Sequence, residues 1–284
     1  IASDAIRRNR RPEDTTRIIE EIATRYRNRL ERHAHRKPLQ ALGRAVRVYA
    51  NWDYPAHEAI VRRALATRAD LVVAETRPHR FGARLFLANT DWELIRNCPC
   101  PLLLVKAGGS YERARVLVAV VPFHTADKPA SLDRLLLQAG QDLAKQIGGQ
   151  VHAFHAYLPL ATIAPMAATP PVPVWIPQGG EEEFAASVRK AFDRLARDAG
   201  IPPSRRHLCL GDVPTQLSNV VRRTHARIVV MGAVSRSGLK RLFIGNTAER
   251  VLDGLGCDVL IVKPRGFQTA VPKEPVWTLG QTPY

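Results

Sequence analysis

The sequence predicts an α/β protein made of two tandem open parallel-sheet domains, the first lacking its initial strand, helix and strand. Three observations carry that reading. Short, nearly all-apolar runs, as suit strands covered on both faces, alternate with longer stretches of helical period. Residues 226–264 match residues 69–107 without a gap at an offset of 157, with Val72/Val229, Arg84/Arg241, Leu85/Leu242, Phe86/Phe243, Asn89/Asn246, Thr90/Thr247, Cys100/Cys257 and Lys106/Lys263 as identical pairs. That period is far longer than any solenoid repeat, so a whole domain has been duplicated. The length of 284 residues also suits two domains of about 100–200 residues each. The expected boundaries are an incomplete first repeat over 1–110, a complete second repeat over 111–266 and an extended tail over 267–284.

In the first half, residues 1–11 are polar and basic. From Pro12 a helix is expected, with Ile18, Ile19, Ile22, Tyr26 and Leu30 on one face and Glu13 and Asp14 in the first turn. A strand over 45–49 follows, then a helix through Ala59, Ile60 and Leu65, a strand over 71–74, a helix from Asn89 and a strand over 102–105. This half therefore starts in mid-unit, without a counterpart of 116–156. Strands 45–49 and 71–74 would flank a gap whose unpaired backbone groups each cost about 1–3 kcal/mol if buried. Residues ahead of Ile1, or another strand, are expected to fill it.

The second half reads as complete. Strand 116–121 is followed by a helix over 132–147, stopped by Gly148 and Gly149, and by strand 151–156. Residues 157–180, rich in proline and carrying Met166 and Trp175, read as a long loop: a lid, a wall for an apolar ligand, or a self-packed crossover. A helix through Phe184, Val188, Ala191 and Leu195 leads to strand 207–210, a helix near 217–223, strand 228–231, a glycine loop, a helix from Asn246 and strand 259–262. Five strands alternating with four helices make a doubly wound open sheet.

Composition narrows the chemistry. The net charge is +16, concentrated in arginines before Arg47, which permits an anionic partner. Tyr26 is the one aromatic residue among those arginines, so a single-strand stacking platform is disfavoured and a nucleic-acid partner is not expected. The four cysteines, Cys98, Cys100, Cys209 and Cys257, form no C-x-x-C pair, and Cys98-Pro99-Cys100 is too tight for zinc-finger spacing. They read as small buried thiols of a reduced, cytoplasmic protein, and no metal is required. No apolar run is long enough to span a bilayer. The nine histidines lack ligand spacing, and no nucleophile-elbow, zinc-protease or Walker motif is present. Catalysis beyond a weak ATPase is not expected.

The phosphate-binding signal lies in 228–247. A buried strand ends at Gly232, a loop carries Arg236, Lys240 and Arg241, and Gly245 opens a helix at Asn246 and Thr247. Glycine lets the backbone approach an anion, and the first-turn N–H groups of a helix point at it. Asn246 with Glu249 also reads as a capped helix start. In the first half Glu75 and Ala88 replace the two glycines.

These motifs, with Gly211-Asp-Val-Pro214 and its echo Trp52-Asp-Tyr-Pro55, resemble the universal stress proteins, and the chain is similar to a tandem member of the E type. The resemblance covers roughly residues 12 to 270. It implies Rossmann-like domains, a stress-response regulatory role, ATP or another nucleotide as ligand, pairing of the halves through strands 102–105 and 259–262, and homo-oligomers. The family's nucleotide motif has glycine at the positions of Gly232, Ser235 and Gly245, and a hydroxyl residue at Asn246. An acidic residue in the family corresponds to Val121 here. The implied pocket is Val120, Val121, Met231, Gly232, Ser235, Arg236, Gly245, Asn246 and Thr247. The alternatives are a non-nucleotide interaction or lipid/anionic-ligand module, and a basic nucleic-acid-associated protein.

Overall fold

The structure, a computed structural model, describes residues 47, 49, 55–76, 79–81, 84–86, 89–106, 109–122, 131–167, 175–233, 250–252 and 254–274. They belong to two compact units, Ile1–Ile60 and Val61–Tyr284. The helix expected over 12–30 lies outside the described residues, as does most of 45–49. Helix α1 (Ala56–Thr67) begins just after Pro55, carries Glu58 in its first turn and buries Val61 and Ala64.

Beyond α1 come strand β1 (Val72–Glu75), a hairpin of β2 (His79–Phe81) and β3 (Arg84–Phe86), helix α2 (Asn89–Asn97) and strand β4 (Leu102–Val105). Then follow β5 (Arg115–Ala119), α3 (Ser131–Gln146), β6 (Gln150–Tyr157), the short α4 (Leu160–Ile163), α5 (Gly180–Asp198), β7 (Arg206–Leu210), α6 (Val213–Thr224), β8 (Ala226–Gly232) and β9 (Asp258–Val262). Seven of the strands form one sheet in the order β1-β4-β9-β8-β5-β6-β7. Every neighbouring pair is parallel except β4 with β9. The second half thus contributes five parallel strands to an open sheet, the mostly parallel α/β class that its alternating pattern predicts.

The duplication is preserved in register. Val72 faces Leu102 as Val229 faces Val259, and Glu75 faces Val105 as Gly232 faces Val262. Beyond those strands Thr76 N donates to Val105 O at 3.0 Å, and Ala233 N donates to Val262 O at 3.1 Å. The two halves join where β4 and β9 run antiparallel, centred on Leu103 opposite Leu260, which are each other's repeat counterparts. The join thus has the self-complementary form of a two-fold interface within one chain.

Matched lysines close it from both sides. Lys106 Nζ, in the first repeat, donates to Leu252 O and to Leu255 O in the second. Lys263 Nζ, in the second, donates to Arg96 O in the first at 2.9 Å and lies 4.2 Å from the Phe267 ring centroid. Lys263 thus meets a carbonyl at the C-terminal end of α2, where unsatisfied acceptors and the helix dipole favour a cation, and Lys106 makes the matching contact at the repeat-equivalent turn. Burial pulls the Lys263 ammonium down to about 7.

Alternation along the strands sends side chains into two cores, one on each face of the sheet. Leu102, Leu104, Val259 and Ile261 pack with Leu94 of α2 and Leu217 of α6. Leu103, Leu260 and Val262 pack with Leu132 and Leu136 of α3 and Phe192 of α5. At the outer strand β1, Val73 lies on the Leu103 side and is 59% exposed.

Two local devices set element ends. Asp212 caps α6 by accepting from Thr215 N at 3.0 Å, and Gly211 precedes it at φ 130°, a conformation open to glycine. The Gly-Asp-Val-Pro signature is therefore a helix start. At Gly149 an added Cβ would lie 2.1 Å from Ala114 O. Gly149→Ala must displace backbone, and we expect a loss of about 1–3 kcal/mol, read from the urea midpoint.

One segment differs from the sequence expectation. Residues 157–180 hold α4 and a 3-10 turn (Ala164–Ala167). Glu181, in the first turn of α5, stabilises α4 by accepting from Leu160 N at 2.9 Å and Ala161 N at 3.2 Å. Local propensity gives no sign of a cap supplied from another helix. The tail is partly packed, since Val271 is buried and Arg62 Nε donates to Pro272 O at 3.1 Å.

Candidate functional site

In the second repeat β5 has β8 on one side and β6 on the other, so successive crossovers leave it in opposite directions. An open α/β sheet binds ligands at such a switch point, beyond the C-terminal strand ends. Val120 and Val121 follow β5, while Met231 and Gly232 end β8. The structure thus brings these four sequence-predicted residues to the ends of adjacent strands. Ser235, Arg236, Gly245, Asn246 and Thr247 lie outside the described residues, as do Lys240 and Arg241.

The four do not share one environment. Val120 is 3% exposed and packs with the α3 core, whereas Met231 packs partly buried against the opposite core. Val121 is 42% exposed and offers an apolar side chain where the resembling family has a carboxylate. Gly232 has a packing reason of its own, because an added Cβ would meet Leu132 Cδ2 at 3.0 Å and Leu136 Cδ1 at 3.5 Å. Its missing side chain admits the start of α3 against β8. The amide that follows, Ala233 N, already bonds Val262 O.

Two residues that the motif reading passes over hold the end of β5. Asp133, 1% exposed in the first turn of α3, accepts from Val121 N through Oδ1 at 3.0 Å. His155 Nδ1 donates to Val120 O at 3.0 Å. Together they fix the Val120–Val121 peptide from both sides. An acid opening a helix just after a buried strand was the available signal for Asp133, but it reads equally as a dipole-favoured first-turn residue. His155 carried only its place near a strand end.

A nucleotide would thus meet an apolar surface at Val121 and a strand end held by Asp133 and His155. Its phosphates would depend on the glycines and cations of 235–247. In the first repeat Glu75 ends β1 at the place of Gly232, with an exposed, anionic side chain that opposes phosphate. Among the described residues no group of three or more His, Cys, Asp or Glu could hold a metal ion, and no helix is long and apolar enough to cross a membrane.

Comparison with known proteins agrees with this architecture. The universal stress protein family profile matches residues 8–106 and 114–263, one segment in each repeat. Universal stress protein E of Escherichia coli K12 is 29% identical over 84% of this chain and 75% of its own length. The protein of the same name from Salmonella typhi is 30% identical over 81% of this chain and 72% of its own. Among solved structures, a putative universal stress protein from Pseudomonas aeruginosa UCBPP-PA14 superposes with a TM-score of 0.67 at 25% identity, over 81% of this chain and 76% of that one. One from Archaeoglobus fulgidus, at 15% identity and a TM-score of 0.52, shares the fold over 88% of this chain and 78% of its own.

Proposed function

We propose a function from one premise: the chain belongs to the universal stress protein family. It acts as a cytoplasmic stress-response regulator whose second repeat, 111–266, binds an adenine nucleotide, while the first, 1–110, carries no ligand and serves as its partner across β4 and β9. The observation behind this reading is that Val120, Val121, Met231 and Gly232 end the two strands that flank the switch point of the sheet. The loss of both glycines from the first repeat supports an unequal division between the halves. Nothing in the proposal requires turnover of the nucleotide.

The test is an ATP titration by calorimetry. Gly232→Val is a poor probe, because its side chain would strike Leu132 whatever the loop does. Arg236→Ala with Lys240→Ala and Arg241→Ala is preferred. Each hydrogen bond to a charged group contributes about 1.5–3 kcal/mol, so the triple variant should bind at least roughly 10–100-fold more weakly, the effect of losing one such bond. If the wild-type protein takes up no ATP, the non-nucleotide interaction module replaces this reading. Affinity for DNA or RNA with a steep salt dependence would favour the basic-surface alternative instead.

A further inference from the structure

We propose that Cys98 and Cys100 form a two-sulfur binding site for a soft monovalent metal ion of the copper(I) class. Their Sγ atoms lie 3.9 Å apart in the turn between α2 and β4. Cys98 is fully buried and Cys100 half-buried, so one thiol is sheltered and the other gives a route in. The turn is pinned at both ends. Cys98 N donates to Leu94 O at 2.8 Å, and Pro101 O accepts from Val72 N at 3.0 Å. With Pro99 fixing a further dihedral, little ordering remains to be done when both sulfurs bind one ion.

Ligand number and charge select the ion. Thiolates favour soft metals. Zinc needs four ligands, and the described residues supply no third His, Cys, Asp or Glu here. Two metal–sulfur bonds of about 2.3 Å each span at most ~4.6 Å, so the observed spacing needs only a bent arrangement or a small outward shift. On binding, each thiol releases its proton to solvent, and two thiolates with one monovalent ion leave one negative charge. Lys263 Nζ, which donates to Arg96 O two residues ahead of Cys98, brings a basic group to the same turn.

The second repeat provides an internal control. Cys257 stands at the place of Cys100, but Leu255 stands at that of Cys98. In an anaerobic titration with copper(I) against a colorimetric copper(I) chelator, the wild-type chain should retain one ion. Cys100→Ala and Cys98→Ala should each weaken retention at least ~100-fold by removing the second sulfur, whereas Cys209→Ala and Cys257→Ala should leave it unchanged. Cys98 lies in the core, so the half-buried Cys100 carries the decision, with a thermal melt to confirm that each variant is folded. X-ray absorption should show two sulfur scatterers on the bound ion. No retention by the wild type, equal retention by Cys100→Ala, or coordination by three or more protein ligands would overturn the proposal.

Discussion

Asp258→Ala is expected to destabilise the folded chain by about 2–6 kcal/mol, since two donors lose their acceptor at about 1–3 kcal/mol each. Asp258 opens β9 and is fully buried. Its Oδ1 accepts from Lys106 N at 2.7 Å and its Oδ2 from the Tyr111 hydroxyl at 2.5 Å. Lys106 follows β4 and Tyr111 precedes β5, so one carboxylate ties the strand ends on either side of the inter-repeat connection. Burial, and then the Asp258 carboxylate, push the Tyr111 phenol up to about 12. Alanine would leave an amide and a hydroxyl without their acceptor in a part-buried site, each at a cost of about 1–3 kcal/mol. Asp258→Asn keeps an acceptor for one of them and should lose less. The comparison is Asp193→Ala at a partly exposed pair with Arg206, where about 0–1 kcal/mol is expected. Urea denaturation decides between them, and equal losses at Asp258 and Asp193 would remove Asp258 from its tying role. In the Asp258→Ala chain the Tyr111 phenol should also titrate lower.

The parts of this architecture that rest on apolar pattern were open to reading from sequence. Val116 to Val118, Ile228 to Val230 and Val259 to Val262 can be buried on both faces only in a covered sheet, and the 157-residue offset fixes how the copies correspond. The β4–β9 pairing is another matter. Alternation shows that Leu103 and Leu260 belong to strands but not that they face each other, and that expectation came from family resemblance. The Glu181 cap on α4 was hidden because it depends on a contact across twenty residues. At the candidate site, Gly232 illustrates the ambiguity of glycine: a motif position and a position packed under Leu132 look identical in sequence. Asp133 was hidden for the opposite reason, since an ordinary helix-start acid takes on significance only when its carboxylate meets Val121 N. Cys98 and Cys100 fit no four-ligand spacing, and only their coordinates reveal that the sulfurs converge.

The second large effect concerns acid. His152 and His207 share a hydrogen bond of 3.0 Å between Nδ1 and Nε2, on neighbouring strands β6 and β7. They lie beside the C-terminal end of α6, whose Thr224 O accepts from Arg115 Nη1 at 2.6 Å and whose Arg223 Nη2 lies 3.4 Å from His207 Nδ1. His152 is 8% exposed, and its Nε2 is a buried atom with no hydrogen-bond partner among the described residues. Burial lowers His152 to about 4, reinforced by His207, Arg115 and Arg205. Burial and Arg223 lower His207 too. Depressed folded values mean that the unfolded chain binds protons first. Stability should therefore be intact above pH 6.5 and fall as the pH drops toward about 4. The slope approaches about 1.4 kcal/mol per pH unit for each histidine. Urea midpoints between pH 6.5 and 5, above the range of ordinary carboxylates, isolate the effect. His152→Leu removes one titrating group and the orphaned nitrogen, so its stability should depend less on pH there. If the variant and the wild type lose stability in parallel, the pair does not set the acid limit. A shallower slope in His152→Leu would locate the acid weak point at the N-terminal strand ends, on the opposite edge of the sheet from the candidate nucleotide site.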